Sequence, residues 1–339
     1  IYYRVWAENG NSSHKTGGYS AVQKLLFDKG APVIQAAKFH KDGNTVGVDY
    51  KGKEWLTDDD DYLTFSISDD TGIKNIRITT TVNGNPTETT LEGKAQIETY
   101  QIGGQNVFTA GTAHGAYSDY TAKFPLKTSA LTGTGGEYSI TITVTEGTAT
   151  GTTFLTQTAT YTFNFDKEAP GGYIGEYIDA GKSVFTGTTL PSILNNAKVG
   201  QYLYVNKQKI EIVKDSTPPG TKKLSSAVNG TFDWVLYKDR DYFTGSSAVI
   251  KGIAYDGGTS GVAKIEGSIK KGSTQVGTSF TVEKDKFRKP IGDFVTWEAT
   301  VEIPSGTSDG NYTLVYTVED GNGNKSTALT QTIYIKQKG

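Results

Sequence analysis

Apolar and polar residues alternate along much of this chain. Tyr138, Ile140, Ile142 and Val144 fall on one side of a run that ends at Glu146, and Tyr312, Leu314, Tyr316 and Val318 do the same ahead of Asp320. Ile1, Tyr3, Val5 and Ala7 open the chain in the same register. A period of two puts one face on a packed core and the other in water, so each run predicts a half-buried antiparallel strand. Thr, Val, Ile, Tyr and Phe fill short runs punctuated by Gly, Asn and Asp, and helical periodicity is weak throughout. Only residues 192–199, bounded by Pro191 and Gly200, predict a short helical turn. The chain reads as all-β.

The runs recur in a fixed order. Phe27-Asp28-Lys29-Gly30-Ala31-Pro32 and Phe165-Asp166-Lys167-Glu168-Ala169-Pro170 each close a strand, and Glu8 and Glu146 both stand 20 residues ahead of the aspartate. Leu63, Phe65 and Ile67 lead into Asp69-Asp70-Thr71-Gly72-Ile73, as residues 250–255 lead into Asp256 and then Gly261-Val262. Tyr120-Thr121-Ala122-Lys123-Phe124-Pro125-Leu126 parallels Trp297-Glu298-Ala299-Thr300-Val301-Glu302-Ile303-Pro304. Matched blocks in matched order predict homologous domains at 29–166 and 167–339, with 1–28 supplying the C-terminal hairpin of a truncated one. The last domain carries an extra β-rich stretch at about 170–235, with runs at 201–205 and 209–213 and a break at Pro218-Pro219.

Composition narrows the function. Lys and Arg number 34 against 36 Asp and Glu, a net charge of −2, which argues against nucleic acid as partner. No apolar run approaches membrane-spanning length, so no membrane insertion is expected in this segment. With no cysteine, disulfides, thiol catalysis and thiolate metal sites are excluded together. The absence of methionine and the start at Ile1 fit a processed chain or a piece of a longer array.

Asp309-Gly310-Asn311-Tyr312 and Gly135-Gly136-Glu137-Tyr138, each opening a penultimate strand, resemble the tyrosine corner of immunoglobulin-like sandwiches. With the Trp297 block, the Asp-x-x-x-x-Gly-Val turn and the Asp320-Gly321-Asn322-Gly323-Asn324 hairpin, they resemble the tandem Ig-like repeats of bacterial secreted and cell-surface proteins. Leu314 and Ile140 stand where antibody domains carry the second cysteine. The resemblance implies tandem immunoglobulin-like β-sandwich domains with a β-rich insertion in the last one. It also implies an extracellular bacterial setting and a non-catalytic role as stalk, adhesin or surface-array element. The partners would be other domains of the same long chain or assembly. The alternative is a carbohydrate-binding accessory module of a secreted multidomain enzyme.

Catalytic signals are poor: His14, His40 and His114 lack any partner spacing of a triad or metal site. Calcium is the more serious candidate. Asp320-x-Asn322-x-Asn324 starts like an EF-hand loop, but Lys325 replaces the required Gly and Gln331 the bidentate Glu, and a hairpin turn explains it better. Ig-like topology predicts instead that Asp166, Asp256 and Asp320, with Asn322, converge at one interdomain junction, and Asp28, Asp69 or Asp70, and Glu146 at the other. A calcium ion would relieve the repulsion there, or Lys29 and Lys167, which follow directly, would neutralise the acids instead. Asp58-Asp59-Asp60-Asp61 reads as a solvated turn that blocks edge pairing, with calcium as its second reading. Glycans are the other candidate ligand, with Trp55, Trp234 and Tyr237 as exposed stacking residues. Asn164 between Phe163 and Phe165 is the candidate for a Lys–Asn cross-link, although alternation turns it outward.

Overall fold

The computed structural model describes residues 2–8, 17–24, 30–148, 153–216 and 219–337. Their regular structure is almost all strand, and they fall into two units. Unit 1 is Ile1–Gly133 with Glu137–Asn164, and unit 2 is Thr134–Gly136 with Phe165–Gly339.

The main sheet of unit 1 has 11 strands in two antiparallel halves, which meet at the pair Ile73 with Ser118. One centres on Tyr62–Ser68, between Lys38–His40 and Tyr117–Pro125. The other runs Asn85–Glu92, Ile73–Val82, Gly135–Glu146, Thr156–Asp166, Glu54–Leu56. Alternation is realised as predicted. Leu63, Phe65 and Ile67 from the first half are buried, as are Ile76, Ile78, Ile140, Ile142 and Val144 from the second. Phe39 meets Phe163, and Phe65 meets Tyr161, with ring centroids 5.9 and 5.5 Å apart, so the apolar faces pack on each other as in a sandwich. On the outer face, hydroxyls of Thr141 and Thr160, and of Thr143 and Thr158, pair at 3.0 Å. Ahead of residue 30, Trp6–Glu8 pairs with Gly17–Tyr19 and Tyr2–Tyr3 with Gln23–Lys24.

The helix reading needs correction. Gly93–Thr99 is an α-helix that the sequence pattern did not reveal, anchored by the fully buried Ile97. A two-turn helix is marginal by itself, so packing of that side chain selects it. Residues 192–199 yield only the 3₁₀ turn Ser192–Leu194, held by the buried Leu194.

Unit 2 contains a sandwich of three-stranded and five-stranded sheets. The first is Gly171–Ile174, Ser247–Tyr255, Val295–Glu302, and the second is Tyr242–Thr244, Leu329–Lys336, Gly310–Asp320, Val262–Lys271, Thr274–Glu283. Ile250, Ile265, Trp297, Leu314, Tyr316 and Val318 are among the residues of its core. The Tyr312 hydroxyl donates to the Ser308 carbonyl at 2.6 Å, which completes the tyrosine corner.

The first strand of this sandwich is in two pieces. Gly171–Ile174 pairs antiparallel with Ser247–Tyr255, whereas Tyr242–Thr244 pairs parallel with the end of Leu329–Lys336. Between the pieces a further sheet is inserted, ordered Glu176–Phe185, Gly230–Lys238, Tyr202–Val205, Gln208–Ser216, Pro219–Leu224. The chain must leave one sheet to join the other at this point, so an insertion here interrupts no ladder. The inserted sheet has its own core, with Leu203, Val205, Ile210, Ile212 and Trp234. It meets the sandwich through tyrosines: Tyr204 and Tyr237 pack with Ile253, Tyr173 and Tyr255, and the Tyr204 and Tyr255 rings stack at 4.3 Å.

Candidate functional site

Three strand ends bring acids together, all at residues that belong to unit 2. Asp166 closes Thr156–Asp166, Asp256 follows Ser247–Tyr255 and Asp320 closes Gly310–Asp320. All three side chains are buried, and each offers a carboxylate oxygen within 4.8 Å of the other two. The three strand ends thus meet at one place, the juxtaposition that Ig-like topology implies for these aspartates.

Each carboxylate gathers backbone N–H groups from a loop. Asp166 Oδ2 accepts from Thr259 and Ser260 at 2.7 and 2.8 Å, and its Oδ1 accepts from Glu168 at 3.1 Å. Asp256 accepts from Gly258 at 3.0 Å and from Gly261 at 2.6 Å. Asp320 Oδ1 accepts from Asn322 and Asn324 at 2.9 and 2.8 Å. The amide groups of Asn322 and Asn324 then both donate to the Asp166 carbonyl oxygen, at 2.9 and 3.0 Å. The Asp-Gly-Asn-Gly-Asn segment is thus a hairpin turn whose asparagines grip the end of a distant strand. Gly258 is needed at this approach, because a Cβ there would meet the Asp166 carboxylate at 1.9 Å.

Burial raises the Asp256 carboxyl above the usual aspartate range against its bonds from Gly258 and Gly261, and the carboxylates of Asp166 and Asp320 add to the rise. Three carboxylates with the Asn322 amide beside them are an oxygen set of the kind a hard divalent cation takes.

The second expected set is not gathered this way. Asp28 lies outside the described residues. Asp69 is buried and accepts from the Thr71 N–H at 2.8 Å and its hydroxyl at 2.6 Å, while Asp70 is exposed. Glu146 is buried and accepts from the Leu155 N–H at 2.8 Å, which ties the two ends of a hairpin. Among the described residues, Asp69, Asp70 and Glu146 form no three-carboxylate cluster.

A different cluster forms in unit 1, from the acidic run at 58–61 together with Asp42, which the sequence reading left out. Asp42, Asp58 and Asp61 bring carboxylate oxygens within 4.8 Å of one another. Asp61 is fully buried, which corrects its reading as part of a solvated turn. It accepts from the backbone N–H groups of Asp42 and Thr57, both at 2.8 Å, and burial raises its carboxyl above the usual range. The acidic run at 58–61 was visible in the sequence, whereas Asp42 reaches it through a turn before Gly43 in which Asp42 takes a φ of 52°.

The stacking residues also require correction. Trp234 and Tyr237 are fully buried, and neither presents a ring to a sugar. Trp234 lies in the core of the inserted sheet with its indole N–H donating to Ser183 at 3.0 Å, and Tyr237 stacks between Tyr173 and Tyr202. Trp55 is half-buried beside the buried Leu56. His40 is a core residue, stacked on Tyr62 at 4.2 Å with its ring nitrogens 2.9 Å from the Asn44 carbonyl and the Thr64 hydroxyl. His114 is 3.1 Å from Asp119. Asn164 is half-buried and donates to the Lys53 carbonyl at 3.1 Å.

No protein-family model matches this chain, and no curated protein matches it. Solved structures similar to it include the fibronectin(III)-like modules of Clostridium thermocellum CbhA, at 10% identity over 88% of this chain and 94% of that one, with a TM-score of 0.26. A tetra-tandem repeat from the extending region of a large adhesion protein is 13% identical over 98% of this chain and 81% of that one, with a TM-score of 0.25. Dimeric latent PorU from Porphyromonas gingivalis is 10% identical over 91% of this chain and 34% of that one, with a TM-score of 0.23. Likeness this distant says nothing of partner or activity.

Proposed function

We propose that this chain is a non-catalytic structural or adhesive segment of a bacterial extracellular protein, a stalk, adhesin or surface-array element. One observation carries the reading: its buried carboxylates act as loop clamps. Asp61, Asp166, Asp256 and Asp320 each accept two or more backbone N–H bonds, so they fix the strand-end loops of the sandwiches. Loops held this way make each unit a stiff spacer.

Two measurements test it. Antibodies against the chain should label intact producing cells, and single-molecule stretching should give separate unfolding steps for the two units. Label confined to the cell interior, or yielding without discrete steps, would falsify the proposal. The rival accessory-module reading loses Trp234 and Tyr237 to the core and keeps only Trp55.

Calcium at the Asp166, Asp256 and Asp320 cluster belongs to the same proposal as a stiffening ion. It is favoured by the convergence of three carboxylates together with the raised Asp256 carboxyl. Melting with calcium and with chelator tests it, and an unchanged melting temperature rejects it.

A further inference from the structure

A cleft of about 480 Å³ opens in unit 2, away from the carboxylate cluster. Three pieces of chain line it: the start of the inserted sheet with Glu176 and Tyr177, the outward side of the three-stranded sheet with Lys251 and Glu298, and the segment 286–290. Lys251, Lys286, Arg288 and Lys289 bring four cations to it against the two carboxylates.

Those two carboxylates are already engaged. Glu298 lies 3.4 Å from Lys251, and Glu176 lies 2.9 Å from Lys238. Lys286 lies 3.1 Å from Asp285. Arg288 and Lys289, both exposed residues of the cleft lining, make no ion pair among the described residues. The chain as a whole carries a net charge of −2, so this is a local concentration of positive charge on a balanced molecule.

Arg288 is held from below. Its N–H donates to the Thr296 carbonyl at 3.1 Å and its own carbonyl accepts from Thr296 at 2.8 Å, which pins the segment to the strand Val295–Glu302. A guanidinium on a fixed base suits a carboxylate, which it meets through two parallel N–H bonds.

Tyr177 supplies the remaining element. Its side chain is 39% exposed on the edge strand Glu176–Phe185. It also lines a neighbouring cleft of about 530 Å³, with Ile193, Asn196 and Gln201. A single exposed ring shared by two clefts fits a ligand of several linked units, one of which lies on the ring. An anionic ligand with flat, weakly apolar faces is an acidic sugar.

We propose that this cleft binds an acidic oligosaccharide. Arg288 and Lys289 take a carboxylate, and the Tyr177 ring takes a pyranose face. This goes beyond the structural reading of the chain, which stands or falls separately on surface labelling and stretching.

The test is calorimetric titration of the whole chain with a panel of hexuronate tetramers (galacturonate, mannuronate and glucuronate-containing) and their methyl-esterified, uncharged counterparts. At least one acidic tetramer should bind, and esterification should weaken it by about tenfold or more. The Arg288→Ala/Lys289→Ala double variant should cost about tenfold, and Tyr177→Ala a few-fold, with melting temperatures unchanged because all three side chains lie at the surface. Binding should weaken as salt is raised. The proposal is overturned if every acidic tetramer fails to bind, if esters bind equally well, or if the double variant binds like the parent. It is equally overturned if inorganic phosphate or sulfate, or a polyglutamate peptide, binds as tightly as the sugars.

Discussion

The indole of Trp297 lies over the α-carbon of Gly252, its partner across the three-stranded sheet, so closely that a Cβ at Gly252 would come within 2.5 Å of the ring. Trp297 is 3% exposed and packs between Phe280 and Tyr316 in the sandwich core. A glycine in mid-strand, normally a weakness, is here the space that admits the largest core ring. Gly252→Ala should therefore destabilise unit 2 by about 1–3 kcal/mol, the usual cost of overpacking. Denaturant unfolding followed by tryptophan fluorescence reads the change, and a variant as stable as the parent would contradict this packing.

Tyr312 closes its corner with its hydroxyl, which donates to the Ser308 carbonyl at 2.6 Å and lies 3.4 Å from the Ser308 hydroxyl. Removing only the hydroxyl, in Tyr312→Phe, should cost about 1 kcal/mol, whereas Tyr312→Ala should cost several times that by adding a cavity. Equal losses for the two variants would show that the hydroxyl does not matter.

Asp166 binds three backbone N–H groups and carries a carbonyl gripped by two asparagines. Asp166→Ala should cost on the order of 3 kcal/mol, because Thr259 and Ser260 are left partly buried without acceptors. Amide exchange checks the location of the effect: protection should fall at Thr259 and Ser260 first and spare unit 1.

Asp256 should take up its proton at higher pH than an exposed aspartate, because burial and then the charges of Asp166 and Asp320 oppose its ionisation. The folded chain therefore holds that proton more tightly than the unfolded chain, and ionised Asp256 costs stability at neutral pH. The cost disappears as pH falls through the folded pKa toward the ordinary aspartate value, so mild acid favours folding at this residue. Carboxyl carbon shifts followed against pH test this, and Asp166→Asn should bring the midpoint down. Millimolar calcium bound at the cluster should lower it further; a midpoint that calcium leaves in place removes the ion from this site.

Trp234→Ala should unfold the inserted sheet, at about 3–5 kcal/mol, while leaving glycan binding at the surface cleft to be judged only on folded protein. Circular dichroism melting distinguishes this from the stacking role expected from sequence: a fully stable variant would mean the indole is no part of that core.

The strands and the order of the repeated blocks were legible in the chain before any coordinates. Period-two alternation records which face is buried, so Tyr138 to Val144 and Tyr312 to Val318 could be assigned without coordinates. The expectation that Asp166, Asp256 and Asp320 meet across 154 residues came from the topology that the Ig-like resemblance implies, and strand alternation carries no such information. The remaining features depend on how distant segments pack. Trp234 and Tyr237 look like surface aromatics until the inserted sheet forms its own core and sets Tyr237 against Tyr173, because burial by a distant segment leaves no local periodic mark. Asp42 joins Asp58 and Asp61 through a turn with a positive φ, and the cationic cleft draws Lys251 and Arg288 from separate elements. Such meetings depend on how sheets cross and stack, and alternation along one strand carries no information about what packs on its outer face.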